Sequence, residues 1–502
     1  MNAWGMIGAS ARSRPPQLGG AGNGERVIIL GAGLAGLTSA YELREHGYEC
    51  EVLEARGRPG GRVWSIRSGT VVPEMGREPV RCDFDDAEHL YLNPGPWRIP
   101  HHHTSLLHYC RELGVPLEVF VNDEQAAFAR PRDAQGGLAD ERLRLREIRA
   151  DLRGHVGELL AKAVDQDALT DELSGEDAEA LIDFLVGEVG LDPDELTYQP
   201  GGSRGYVEDP GAGQRPGEVG EAHGLSDLLA YTQGLGIDVL GLTGYNMQAT
   251  MFHPVGGMDR IAEHFAEELD DLITYEAEVQ EIRREGEDGG VRVAYADADG
   301  DVQEVTGDYA IVTLPLPVLH QIDNDFSPEV NDAISAVSYM SVGKAGLQFG
   351  RRFWEEDHGI YGGHGYAPPV SLSYQPTGYF QQKGIIQGYY NFVTDAIRVS
   401  NGSQQERIEY ALEAGERLHD QYREEFETGI AHAWHLDRYT LGGWATWGPQ
   451  EREDHYETLL APDGPFYFAG EHLSYLTGWM AGAIESAWDV IEHLAERTQE
   501  GT

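Results

Sequence analysis

An α/β (α+β) fold is predicted by three features of the 502-residue chain. Residues 26–62 spell one strand–turn–helix–strand unit around three glycines. Strand-like segments return in two later blocks, over 276–315 and 338–392. Between 140 and 191 the text turns to leucine, alanine and glutamate at helical spacing, which marks a helical insert.

The first feature organises the rest. Residues 27–30 are wholly apolar, as a strand buried on both faces must be. Gly31, Gly33 and Gly36 follow as G-x-G-x-x-G. Leu34, Leu37, Ala40, Tyr41 and Leu43 then recur at helical spacing, and Gly47 stands where a C-cap glycine belongs. A second strand, 50–53, ends in Glu54. The first two glycines allow a tight turn and close backbone approach, and the third lets helix and strand pack. The helix N-terminus then faces a pyrophosphate, a Rossmann-like arrangement. Glu54 is placed to accept hydrogen bonds from an adenosine ribose.

Composition narrows the function classes. At about 150 residues per domain the length suggests roughly three domain-sized units, and 41% hydrophobic residues supply a sizeable core. Lys plus Arg number 37 against 85 Asp plus Glu, a net charge of −48. That disfavours nucleic acid and anionic membranes as partners. The acids are spread along most of the chain, which reads as a highly soluble surface rather than a steering patch. Cys50, Cys82 and Cys110 form no C-x-x-C and suggest no disulfide framework. No apolar run approaches membrane-spanning length. Residues 1–24 lack a signal peptide's basic and apolar regions and read as a flexible lead-in. A cytoplasmic protein is expected, secretion through a leader lost from the chain being the alternative.

Further along, 63–66 reads as a strand. His101, His102 and His103 do not read as a metal site: neighbouring histidines on a helix or strand point different ways, and no second ligand cluster stands nearby. They read as a helix start, with Thr104 as the cap and Leu106, Leu107 and Tyr109 following; no metal is expected. The insert's periodic residues include Leu145, Ile148, Leu152, Val156, Leu159 and Phe184. Residues 200–224, rich in glycine and proline, read as a long exposed loop. Strands are expected over 276–282, 291–295, 302–305, 309–315 and 466–470, and an amphipathic helix over 407–427. Lys344 stands in an apolar strand pattern with Val342, Ala345, Leu347 and Phe349, and a buried lysine needs a reason.

Several motifs then fall in one order. Arg56, Arg58, Pro59, Gly60, Gly61 and Arg62 form A-R-x-R-P-G-G-R just after the ribose acid. G-P-W-R-I-P contains Pro96, Trp97 and Arg98. The strand lysine, G-E-H at 470–472 and T-G-W-M-A-G-A-I-E-S at 477–486 complete the series. Over about 25–495 the chain resembles the flavin amine oxidase superfamily, and within it bacterial L-amino acid oxidases most. The resemblance implies FAD as cofactor. It also implies a discontinuous FAD-binding domain over 25–80, 252–335 and 438–497, a substrate-binding sheet domain over 81–120 and 336–437, and a helical insert with a long loop over 121–251.

The implied FAD contacts are Gly31, Gly33, Ala35, Gly36, Glu54, Ala55, Arg56, Gly61, Arg62, Pro96, Trp97, Arg98, Val279, Gly470, Glu471, Gly478, Trp479 and Met480. Arg98 and Tyr390 would hold a substrate carboxylate, with His253 near the substrate. A guanidinium suits that task because its planar fork pairs both carboxylate oxygens. Tyr390 is preferred over Tyr389, and a one-residue slip would turn the side chain to the other face. Trp444 and Trp479 fall on the family's aromatic cage, and Lys344 on its water-holding lysine.

The implied activity is oxidative deamination of L-amino acids, neutral aromatic or long aliphatic, to 2-oxo acids with ammonia and hydrogen peroxide. The partners are then an amino acid and oxygen, in the family's usual homodimer. Three alternatives stand beside it: a mono- or polyamine oxidase, an amino acid 2-monooxygenase, and a non-catalytic flavin-binding protein.

Overall fold

The computed structural model describes residues 12–19, 22–132, 135–235, 244–286 and 289–500; part of the expected lead-in lies outside them. Five parallel strands make the first sheet, in the order Ile273–Thr274, Glu49–Leu53, Arg26–Leu30, Tyr309–Val312, Phe466–Phe468. Strand order reverses at Arg26–Leu30, so a crevice opens beyond its carboxyl end. Val27 to Leu30 are fully buried, and their alternation serves two layers. Val27 and Ile29 pack with helices Leu34–Glu45 and Met480–Glu500, while Ile28 and Leu30 face Val279, Ile282 and Val293 on the other side.

A four-stranded sheet lies on that second side, in the order Val302–Gly307, Gly290–Ala296, Glu278–Glu285, Asp323–Asn324. A seven-stranded sheet builds the other half of the molecule. Its order is Phe426–Ala433, Val342–Phe349, Gly384–Phe392, Val370–Tyr374, His364–Ala367, Phe128–Ala129, Leu143–Arg144. Strand Val342–Phe349, between Phe426–Ala433 and Gly384–Phe392, is buried at every residue.

Three helices, Leu145–Asp165, Gly175–Val189 and Leu225–Gln233, form the insert. Leu145, Ile148 and Leu152 are buried, whereas Val156, Leu159 and Phe184 are exposed. Most of 200–224 is exposed, with a short hairpin of Tyr206–Glu208 and Glu218–Val219. Buried Arg204 anchors it, donating through Nε to both Asp151 oxygens at 3.1 and 3.0 Å.

Four local expectations change. Residues 63–66 form no strand; only Ile66 bridges Leu92. The Ser65 N–H donates to the Asp259 carboxylate instead of to a strand partner, and the Ser65 hydroxyl donates to Asn93 Oδ1. The helix expected over 407–427 is Gln404–Glu416, because the chain folds back there: a Cβ on Gly415 would lie 2.1 Å from the Tyr422 ring. Helix Thr104–Glu112 begins after His103, with no side-chain cap from Thr104. That helix, expected in the substrate-binding domain, packs with the nucleotide-binding layer, as do Ile99 and Val115 on either side of it. Its Tyr109 hydroxyl donates to Glu42 and accepts from Trp488 Nε1, both at 2.7 Å. Among the described residues no helix is long and apolar enough to cross a membrane.

Candidate active site

A cavity of about 730 Å³ runs from the glycine turn to the seven-stranded sheet. At one end it is lined by Gly31, Gly33, Ala35, Glu54, Ala55, Arg56, Gly61, Arg62, Val279, Gly470, Glu471, Gly478 and Met480. At the other it is lined by Pro96, Trp97, Arg98, Tyr390, Trp444 and Trp479. Gly36 is not on the wall. A Cβ there would come within 2.0 Å of the Gly31 carbonyl oxygen, so this glycine serves helix–strand packing.

The first end fits a dinucleotide. Gly31 takes a φ of +101°, open to glycine and costly for other residues. A Cβ on Gly33 would meet nothing within 4 Å, and one on Gly61 would meet only the Gly33 Cα, at 3.7 Å. The two glycine turns thus lie side by side along the cavity wall with no side chain between them. Glu54 is buried, its Oε2 accepting from the Ala32 N–H at 2.9 Å and its Oε1 from the Arg56 N–H at 2.8 Å. Each oxygen keeps a lone pair for a ribose hydroxyl. The arginines carry their own acids. Arg56 pairs with Asp437 at 2.5 Å, and Arg62 with Glu471 at 2.8 Å. Glu471 also accepts from the N–H groups of Ala445 and Gly478, tying three segments together.

The second end is different. Arg98 Nη1 donates to Asn122 Oδ1 at 2.6 Å, and Nη2 to the Met247 thioether at 3.2 Å. His364 Nε2 lies 3.3 Å from Nη1. No carboxylate among the described residues pairs with this guanidinium, and its Nε has no partner. Burial lowers its pKa to about 10. Tyr390 faces the same space, its hydroxyl pushed up to about 12 by burial, while Tyr389 turns into the opposite core against Tyr410. Trp444 lies beside Phe392, and Trp479 stands edge-on to His103.

Lys344 sits one layer behind the wall, 1% exposed. Its Nζ donates to the carbonyls of Asn93 at 3.2 Å and Gly95 at 2.5 Å. The nitrogen lies 4.6 Å from the Trp97 ring centre and 4.3 Å from that of Tyr390. Burial, with the Arg98 charge nearby, pushes its pKa well down.

His253, expected near the substrate, does not line the cavity. Strand pairing of Thr250–Pro254 with Leu117–Val121 turns it into a packed layer against Phe120 and Tyr91, where burial lowers its pKa to about 4. The three adjacent histidines gather no ligand set; no metal cluster is found among the described residues. His102 and His103 instead both lie within hydrogen-bond distance of Asn246 Oδ1. Sequence reasoning missed Asn122, Met247 and His364. They come from three distant segments, and nothing in their spacing marks them.

A doubly glycine-lined dinucleotide groove, continuous with an aromatic chamber behind a second sheet, defines a flavoprotein oxidoreductase. The chain belongs to the flavin containing amine oxidoreductase family, whose model matches residues 34–492, and it binds FAD. It is similar to YobN of Bacillus subtilis, provisionally named an L-amino-acid oxidase, with 28% identity covering 92% of this chain and 93% of that one. It is also similar to the L-amino-acid oxidase of Demansia vestigiata, at 25% identity over 92% and 85% of the two chains. The fold is that of cyclohexylamine oxidase from Brevibacterium oxydans, with a TM-score of 0.61 at 17% identity over 95% and 100% of the chains.

Proposed function

We propose that this flavin amine oxidoreductase is an L-amino acid oxidase acting on neutral aromatic or long aliphatic amino acids. One observation carries the reading: Arg98 reaches the cavity with no acid beside it among the described residues. A protonated amine would meet an uncompensated positive charge there, whereas an amino acid brings its own carboxylate. Arg98 and the Tyr390 hydroxyl bind that carboxylate. Trp97, Trp444 and Trp479 enclose the chamber, exclude water and favour an apolar side chain. Lys344, its amine held by two backbone carbonyls, keeps a polar group directly behind the wall formed by Trp97 and Tyr390.

FAD supplies a two-electron acceptor for the amine-bearing carbon and the means of passing electrons to oxygen as hydrogen peroxide. The chain's own contribution is orientation: the carboxylate clamp sets the Cα hydrogen relative to the groove without a side-chain base. The imino acid leaves to be hydrolysed by water to a 2-oxo acid and ammonia.

The test is the product balance of the yellow holoenzyme with L-amino acids and their decarboxylated amines. Peroxide and ammonia in equal amounts from amino acids supports the reading. Peroxide from amines alone rejects it in favour of amine oxidation, and an amide with little peroxide rejects it in favour of monooxygenation.

A further inference from the structure

An oxidase of this kind forms hydrogen peroxide within its own cavity. The readily oxidised group on this cavity's wall is a thioether, since none of the three cysteines lines it. Two methionines among the described residues do, Met247 and Met480. Met480 opens helix Met480–Glu500 at the groove end and is 6% exposed. Met247 stands at the substrate end, partly exposed, with its sulfur 3.2 Å from Arg98 Nη2. Met251 and Met258 are fully buried, and Met75, 41% exposed, does not line the cavity.

The fold holds Met247 in this place. Its N–H donates to the Gly244 carbonyl at 2.7 Å. On one side Asn246 Oδ1 lies 2.8 Å from His102 Nε2 and 3.2 Å from His103 Nε2. On the other, the carbonyls of Gln248 and Ala249 accept from the Asn122 side chain and backbone, at 2.9 and 2.8 Å. The turn over 244–249 is thus tied to the chamber, and the unbranched Met247 side chain adjusts within it. As a thioether it is a weak acceptor, and a substrate carboxylate outcompetes it for Nη2. Sulfur has two lone pairs, so the contact with Arg98 leaves one for attack. Oxidation puts a polar oxygen acceptor in place of the weak sulfur one, within reach of the same guanidinium.

We propose that Met247 is a modification site: hydrogen peroxide formed in the chamber oxidises its thioether to the sulfoxide, whose oxygen takes Arg98 Nη2 and competes with the substrate carboxylate. In this step one peroxide oxygen bonds to sulfur, the O–O bond breaks, and the other oxygen leaves as water with both protons. Sulfur loses two electrons and peroxide gains them. Substrate affinity then falls with the enzyme's own output. The inference rests on the oxidase reading above, which supplies both the peroxide and the carboxylate.

The experiment ages the holoenzyme by prolonged turnover of L-phenylalanine, with catalase in the solution to remove peroxide that escapes. Peptide mass mapping reads the gain of one oxygen atom at each methionine. Oxidation is expected at Met247 and not at Met75, which sees only the bulk solution. At full oxidation KM for L-phenylalanine should rise by about tenfold, with kcat within about threefold. The calorimetric Kd of 3-phenylpropanoate, a carboxylate with no amine to oxidise, should rise by the same factor. Met247→Leu, similar in volume and without sulfur, should keep both constants of its own fresh sample after ageing. Peroxide release with Met247 left unoxidised, or with Met75 oxidised equally, would overturn the site and leave the oxidase reading standing. Oxidised Met247 with KM and Kd unmoved would overturn the competition at Arg98, as would Met247→Leu losing affinity on ageing like wild type. If fresh wild type released no peroxide, the oxidase reading would fall and this inference with it.

Discussion

The two ends of the cavity treat positive charge in opposite ways. At the cofactor end Arg56 and Arg62 each pair with a buried acid, Asp437 and Glu471. At the substrate end Arg98 is held by an amide oxygen, an imidazole and a thioether, and Lys344 by two carbonyls and two aromatic faces. The first arrangement is complete without a ligand and serves as architecture. The second leaves a charge waiting for one, which is what a site for an anionic group needs.

This contrast can be broken from either side. The largest loss of stability is expected from Glu471→Ala, which leaves part-buried Arg62 without its acid and frees two backbone N–H groups. A cost of about 2–4 kcal/mol follows from leaving a part-buried cation and two N–H donors without their acceptor. Thermal unfolding and flavin retention read it; a melting temperature equal to wild type would show that the pair is not structural.

The glycines sharpen the same boundary. Gly36→Ala forces a methyl against the Gly31 carbonyl and should cost about 1–3 kcal/mol in the protein itself. Gly33→Ala meets no protein atom within 4 Å. Its apoprotein should melt within about 0.5 kcal/mol of wild type, while its affinity for added FAD falls. Equal melting losses in the two apoproteins would contradict the assignment of one glycine to packing and the other to the groove.

Lys344→Met separates chemistry from binding. With Arg98 untouched, KM should stay within about threefold, while kcat falls by about 100-fold if the lysine acts on a positioned water or proton. Flavin content should be unchanged. A raised KM with normal kcat would move Lys344 into substrate binding.

Legibility followed the same division. Cofactor-end residues lie in short motifs whose spacing carries its own geometry, so a glycine at 31, 33 or 61 or an acid at the end of strand Glu49–Leu53 can be read without a structure. Lys344 was legible because a charge breaks an apolar strand pattern. Asn122 and His364 were not, since each is an ordinary polar residue in or beside a strand and becomes meaningful only when the fold sets it against Arg98. His253 shows the converse: its position beside a recognisable motif suggested the chamber, and strand alternation took it into a packed layer instead. The helix Thr104–Glu112 was grouped with its sequence neighbours, whereas Tyr109 ties it to Glu42 and Trp488 far along the chain.

The measurement that bears most directly on the central claim is the ratio of kcat/KM for L-phenylalanine to that for 2-phenylethylamine, in wild type and in Arg98→Ala. The two substrates differ only in the carboxylate. The account predicts a wild-type ratio well above one, and a fall of about 100-fold or more in Arg98→Ala with the amine unaffected or improved. A wild-type preference for the amine, or a ratio that Arg98→Ala leaves unchanged, would contradict it.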